Sequence, residues 1–199
     1  MARPKLTRHA EHATRSSLTQ LALELYLGDG LDAVSFRKLA ERAQVSHTYP
    51  YRFFENKEAL LTAIRVLCSK RFSDFLRSHD EPDASPLKRV RAVTTHVVRF
   101  AREHPAEYSL LFTLDQPPPD RFDELLDIRQ SLIDFVTDIA AQAVAAGQAS
   151  GNPQELAQLI WAGVHGLISL DLAKQLVHGQ SIDTLLGPMV DRLLSGGAR

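Results

Sequence analysis

The stretch Val34–Leu61 (VSFRKLAERAQVSHTYPYRFFENKEALL) sets three helix starts close together, and few folds accommodate that spacing. Ser35 supplies a hydroxyl that can accept from a backbone N–H one turn on, so it reads as a helix N-cap. Phe36, Leu39, Ala40 and Ala43 then recur at the spacing of one buried helical face. Gln44-Val45 reads as a tight turn, Ser46 as the cap of a second short helix through Phe53, and Asn56 as the cap of a third that opens Lys57-Glu58-Ala59-Leu60-Leu61. Two short helices around such a turn make a helix-turn-helix, whose second helix can enter a DNA major groove.

Around this stretch the pattern is helical nearly throughout, because strand-type alternation is absent and glycine and proline are clustered. A first helix is expected from about Ala10 to Leu27, with Leu18, Leu21, Ala22 and Leu25 on one face and Gly28-Asp29-Gly30 ending it. The helix from Lys57 to about Ser78 is longer than a small DNA-binding domain needs and reads as a connector between two halves. After a polar loop at 79–86, a fifth helix spans about Leu87–Glu103, with Val90, Val93, Val97, Val98 and Ala101 inward. Pro105 opens a sixth that ends near Leu114, and the proline-rich run Asp115–Asp120 is a loop no helix crosses. A seventh runs from about Arg121 to Ala146. Asn152-Pro153-Gln154-Glu155 starts an eighth that continues to about His178. Ser181 caps a ninth, with Gly187-Pro188 as a point of kinking or splitting. The expected class is all-α with about nine helices: a DNA-binding domain at 1–56, with its basic arm, and a helical regulatory and dimerisation domain at 57–199.

Charge supports that division. The net charge is −1, which argues against a general polyanion binder, yet residues 1–58 carry nine Lys and Arg against seven Asp and Glu. Within the first fifteen residues Arg3, Lys5, Arg8 and Arg15 face only Glu11, a basic arm leading into the helix-turn-helix. No apolar run is long enough to span a bilayer, and the N-terminus lacks the apolar core of a secretory signal. The single cysteine, Cys68, excludes an internal disulfide, reads as a small buried hydrophobe, and fits a reducing cytoplasm.

The run Val45-Ser46-His47-Thr48-Tyr49-Pro50-Tyr51-Arg52-Phe53-Phe54-Glu55-Asn56-Lys57-Glu58, preceded by Leu39-Ala40-Glu41-Arg42-Ala43, resembles the DNA-binding signature of the TetR family of bacterial transcriptional regulators. The resemblance covers about Leu18–Ile64. It implies a three-helix N-terminal domain, a larger helical regulatory domain, and a homodimer whose small-molecule effector controls affinity for a pseudo-palindromic operator. The expected function is therefore a ligand-responsive repressor, with no cofactor. Two residues depart from the family pattern. Gln44 stands where glycine is usual, so that turn is expected to be strained or differently shaped. Pro50 stands where an aliphatic residue is usual, and it removes the first intrahelical bond if Ser46 is the cap, so the recognition helix is expected to start tilted or late. Further on, Trp161-Ala162-Gly163-Val164-His165-Gly166, with Glu103-His104-Pro105-Ala106-Glu107-Tyr108, resembles a Trp-His-Gly C-terminal class of the same family. That likeness implies a four-helix dimer interface built from the eighth and ninth helices. Gly163 and Gly166 would thin one helix face for close approach, whether of a partner or of this chain's own packing.

Short polar side chains near the start of a recognition helix reach base edges, which singles out His47 and Thr48 with Ser46 beside them. Ser35, Arg37, Tyr49, Tyr51, Arg52 and Lys57 are the phosphate candidates. In the second half Phe100, Tyr108, Phe112, Phe135 and Trp161 are candidates to line an effector pocket, with His96, His104 and His165 as polar anchors; core packing is the competing use of such aromatics. An all-helical enzyme is the rival class, but no HExxH, G-x-S-x-G, Walker loop or dinucleotide fingerprint occurs. A helical interaction module with a degenerate recognition helix is the third, and Pro50 is what keeps it open.

Overall fold

The computed structural model describes residues 7–112, 116 and 122–196, and every regular element among them is helical. In chain order the helices are α1 (Arg8–Asp29), α2 (Phe36–Arg42), α3 (Lys57–Ser78), α4 (Pro86–Glu103), α5 (Pro105–Phe112), α6 (Asp123–Ala145), α7 (Pro153–Leu172) and α8 (Ile182–Leu194), with 3₁₀ turns at Leu31–Ala33 and Pro50–Arg52. The chain divides into two compact units: Met1–Ser69 with Asp115–Leu125, and Lys70–Leu114 with Leu126–Arg199. The arm residues Arg3 and Lys5, the proline run at 117–119 and the expected helix end at Leu114 lie outside the described residues.

In the first unit, α1 buries Leu18, Ala22, Leu23 and Tyr26. Leu21 and Leu25, expected on that face, are only half-buried, so the packed stripe is centred slightly further round the helix. Gly30, at φ 79°, ends α1 by donating its N–H to the Tyr26 carbonyl. Phe36, Leu39 and Ala40 of α2 pack inward as their spacing predicts, and Phe54, Leu60 and Ile64 complete an apolar centre. Ser35 caps α2 by accepting from Lys38 N–H, and Asn56 caps α3 by accepting from Ala59 N–H at 2.9 Å.

The expected recognition helix from Ser46 to Phe53 does not form as an α-helix. Pro50 has no amide hydrogen to offer the carbonyl of Ser46, four residues back, and its ring crowds that carbonyl. The chain winds more tightly instead. Tyr49 N–H donates to the Ser46 carbonyl at 2.9 Å, Arg52 N–H to Tyr49 at 3.2 Å and Phe53 N–H to Pro50 at 3.0 Å. Tyr49 keeps φ −64° and ψ −44°, so the segment retains the right-handed sense of a helix without its ladder. Ser46 does not act as a cap either, since its hydroxyl lies 3.4 Å from that of Thr48.

Just before it, the turn at Gln44 has the shape a glycine would give. Gln44 adopts φ 55°, its N–H donates to the Glu41 carbonyl, and Val45 N–H reaches back to the Ala40 carbonyl at 3.0 Å. This paired bonding is a Schellman C-cap, which closes α2 at the cost of holding a side-chain-bearing residue in the left-handed region.

In the second unit, α4 buries Val90, Val93, Val97, Val98, Phe100 and Ala101. At the start of α4, Arg89 grips Asp80 through Nε at 3.0 Å and Nη2 at 2.7 Å, and its Nη1 donates to Gln142 Oε1 on α6 at 2.7 Å. Both charged side chains are only 9% exposed. Their mutual hydrogen bonding holds the Arg89 guanidinium above its usual range. Asn152 and Ser181 cap α7 and α8 as expected. The eighth expected helix is shorter than its apolar pattern suggests: α7 ends at Leu172, where Lys174 at φ 55° closes a second Schellman turn through Gln175 N–H to the Leu170 carbonyl. Across α8, Pro188 is accommodated without a split. Gly163 is explained by packing within the chain, because a Cβ there would lie 2.5 Å from the sulfur of Met189 on α8. Gly166 has open space where a Cβ would point.

Replacing Gln44 by glycine relieves the left-handed cost without touching the core. The variant is expected to gain up to about 1 kcal/mol, seen as a melting temperature higher by about 2–4 °C. A melting temperature that falls in a thermal scan would contradict this account of the turn.

Candidate functional site

In the first unit the Ser46–Arg52 segment is largely exposed. Ser46, His47 and Thr48 are exposed, as are Arg37, Tyr51, Arg52 and Lys57, while Ser35 and Tyr49 are half-exposed. Apolar burial holds this segment in place from beneath. Pro50 and Phe54 are buried, and Tyr51, itself 58% exposed, stacks on Phe36 with ring centroids 4.2 Å apart. Tyr51 therefore covers the edge of the core rather than joining it. Arg52 lies over the Tyr49 ring at 5.5 Å and the Phe53 ring at 6.0 Å, which preorganises its guanidinium.

The electrostatics suit an anion. No carboxylate among the described residues pairs with Arg37, Arg52 or Lys57, so none of those residues neutralises their charges. Lys57 is the first residue of α3, where the helix dipole adds partial positive charge. Arg42, by contrast, lies 3.9 Å from Glu24. All nine sequence-predicted contact residues thus fall in one unit and all are accessible, with Ser35 also engaged in capping α2.

The second unit holds an aromatic cluster. Phe72 lies edge-on to Phe100 and to Phe112, with centroids 4.9 and 5.4 Å away. Phe112 in turn meets Tyr108 at 4.8 Å and Trp161 at 4.9 Å. Trp161 stacks on His165, one turn along α7, with an interplanar angle of 20°. The hydroxyl of Tyr108, a residue with no exposed surface, is 2.8 Å from His165 Nδ1. Burial raises the Tyr108 phenol well above its usual range and lowers His165, and both directions favour the uncharged forms. Among the candidate pocket residues, Phe100, His104, Tyr108, Phe112 and Trp161 belong to this network, His104 through its 4.9 Å contact with Phe100.

Phe135 does not join it. Its ring lies under the Arg77 guanidinium at 4.6 Å, in a separate hollow of about 400 Å³ that also has Asp127, Ser131, Asp134 and Asp138 in its walls. Equal helical spacing cannot tell which of two grooves an aromatic enters. Phe72 belongs to the cluster but was not among the pocket candidates; its position beside Cys68 and Phe75 on α3 is the only sequence signal for it.

His96 sits apart, beside His79 (centroids 4.9 Å) and near Phe75. His79 Nδ1 must donate to the Phe75 carbonyl at 2.7 Å, which turns its other nitrogen toward Arg99 Nη1 at 3.4 Å. Burial first, then the nearby His79 and Arg99, hold His96 below the usual histidine range, against a smaller opposing effect of Glu81.

An all-helical chain with an exposed cationic reading face in one unit and an aromatic cluster in the other has the make-up of a helix-turn-helix transcriptional regulator. The sequence comparisons place it more narrowly. The model described as Tetracyclin repressor-like, C-terminal domain, matches residues 90–193, and that described as Bacterial regulatory proteins, tetR family, matches residues 18–64. The chain belongs to the TetR family, whose members are ligand-responsive DNA-binding repressors. It is 29% identical over 156 residues to the HTH-type transcriptional regulator RutR of Escherichia coli O157:H7, spanning 77% of this chain and 73% of that protein. Over 100 residues it is 28% identical to the HTH-type transcriptional repressor KstR of Rhodococcus jostii, spanning 50% of this chain and 46% of that one. Its fold superposes on a protein of unknown function from Rhodococcus sp. RHA1 with a TM-score of 0.78, at 26% identity over 93% of this chain and 95% of the other. Among the described residues no helix is long and apolar enough to cross a membrane.

If Pro50 is what breaks the helical ladder, Pro50→Ala should restore the bond to the Ser46 carbonyl. Backbone NMR shifts at 47–53 are then expected to move to α-helical values; unchanged shifts would assign the tight winding to tertiary packing instead. The depressed His96 makes a second prediction. The unfolded chain takes up its proton at about pH 6.5, before the folded chain does, so stability present above that pH is lost as pH falls through the folded value. Urea midpoints are expected to drop between pH 7.5 and 5.5, and to drop less in His96→Phe. A midpoint that rises toward acid would refute it.

Proposed function

We propose that this protein is a repressor that binds a two-fold operator as a homodimer in the bacterial cytoplasm and is released by a small molecule held in its second unit. The observation that carries the reading is that Arg37, Arg52 and Lys57, unpaired among the described residues, are exposed in the same unit as the exposed polar run Ser46-His47-Thr48. Phosphate contacts set register and supply the salt-dependent part of the affinity, while short polar groups at the tip discriminate base edges. His47 donates to a guanine acceptor, and the Thr48 methyl meets a thymine methyl. Ser35, Tyr49 and Tyr51 are assigned to the backbone beside them.

We assign DNA reading to 1–56 together with Lys57 at its edge, and sensing and dimerisation to the rest of 57–199, although the compact first unit runs on to Ser69. For the dimer we assign α7 and α8. Leu159 and Leu170 on α7 are exposed at 48% and 44%, and Gly166 leaves room beside them for a partner helix. For the effector we assign the cluster of Phe100, His104, Tyr108, Phe112 and Trp161, and leave out Phe135. Effector binding acts by population shift, favouring a dimer geometry whose reading segments no longer match two half-sites. Helix α3, continuous from Lys57 to Ser78, is the covalent link between the two functions.

Genome-wide selection of bound DNA fragments would yield the operator, and a salt titration on it would sort the contacts. Lys57→Ala is expected to weaken binding across sequences and flatten the log–log salt slope by about one unit. Thr48→Ala is expected to change which base is preferred at one position of each half-site. Selection that enriches no sequence would overturn the regulator reading in favour of an interaction module.

A further inference from the structure

The Tyr108–His165 contact says more about the effector than the aromatic surroundings do. Tyr108 is wholly buried, and its hydroxyl has a single partner, His165 Nδ1 at 2.8 Å. Were the imidazole to donate from Nδ1, the phenol hydrogen would be buried without an acceptor, an arrangement folded proteins avoid. Tyr108 is therefore the donor, Nδ1 is the acceptor, and the remaining proton of the neutral ring sits on Nε2. Neither His165 Nε2 nor the indole N–H of Trp161 has a hydrogen-bond partner among the described residues. Two stacked rings on one helix thus carry two N–H donors and no acceptor, beside the edge of Phe112.

We propose that His165 Nε2–H is the polar anchor of the effector, and that the effector is a neutral carbonyl compound whose oxygen accepts from it while an apolar or aromatic body lies against Trp161 and Phe112. The assignment rests on the effector site proposed above and narrows its chemistry. The carboxylate beside His104 is Glu107, at 3.8 Å, and Arg71 already pairs with it at 3.3 Å, so an organic cation would compete with a partner in place. A carboxylate meets no full positive charge at His165, because a ring whose Nδ1 accepts from Tyr108 carries a single proton. A carbonyl loses least on leaving water and gains a donor already fixed in direction.

Ligand-observed NMR on the full chain, with acetophenone, ethylbenzene and benzoate as probes, tests this directly. Acetophenone is expected to bind about five- to tenfold tighter than ethylbenzene, the return on one neutral hydrogen bond. It is also expected to shift the indole N–H signal of Trp161, which is unambiguous because the chain has one tryptophan. In His165→Phe the ketone should lose its advantage while the hydrocarbon keeps its affinity. Should that variant fail to fold, long-range ¹H–¹⁵N spectra of the native chain decide, with His165 expected to be protonated at Nε2. An Nδ1–H tautomer, benzoate binding as tightly as the ketone, or a ketone no tighter than the hydrocarbon each overturns the carbonyl class and leaves the effector site standing. If no probe moves the Trp161 signal, both readings fall. A His165 signal that follows protein concentration instead would give the N–H to a partner subunit and overturn the proposal.

Discussion

The reading segment has almost no helical ladder of its own, so its shape depends on what lies beneath it. Between Ser46 and Phe53 the backbone bonds are mostly of the three-residue kind, and such turns are weak in isolation. Pro50 and Phe54 are buried, and Tyr51 lies flat on Phe36. Fully burying one large apolar side chain is worth about 1.5–3 kcal/mol, against about 0.5–1.5 kcal/mol net for one backbone hydrogen bond. Hydrophobic anchoring thus does the positioning that an unbroken helix would otherwise do. Every exposed candidate contact then stands on a fixed base, which spares much of the ordering entropy on binding DNA.

Polar pairs in the second unit play a comparable part where apolar packing cannot fix direction. Arg89 ties Asp80, in the turn after α3, to the start of α4 and to Gln142 on α6. Taking one partner from a buried pair of this kind generally costs about 3–5 kcal/mol, because a charge is left without compensation. Tyr108 and His165 set a direction of a different sort: the buried hydroxyl decides which imidazole nitrogen carries hydrogen. The bonds Arg89–Gln142 and Tyr108–His165 join residues 53 and 57 positions apart, and both make a neighbourhood specific rather than merely apolar.

Much of the architecture was legible from residue types because helix caps and apolar periodicity act locally. Ser35, Asn56, Asn152 and Ser181 each cap the helix their spacing predicts. Cys68 is buried, as its place on the apolar face of α3 requires. Errors arose where two local rules competed. Ser46 looks like a cap and Pro50 forbids the helix it would cap, and the missing amide prevailed. At Gln44 the expected strain is present, since the Schellman bonds hold a residue without glycine's freedom at φ 55°, and the turn keeps the glycine shape instead of changing it. For the aromatic cluster, periodicity marked the inward aromatics but could not assign grooves, which is why Phe135 proved to stand with Arg77 and Phe72 was not among the pocket candidates.

By itself the sequence determined the helical class, the helix-turn-helix and the family, since capping, periodicity and an ordered motif are all encoded within a few residues of one another. Only the tertiary structure decided that the recognition segment is wound as turns on a buried base, that Gly163 makes room for Met189, and that Tyr108 meets His165 across 57 positions. Such contacts depend on where separate helices come to rest, and a chain read in one dimension carries that information only through the summed packing of the whole core.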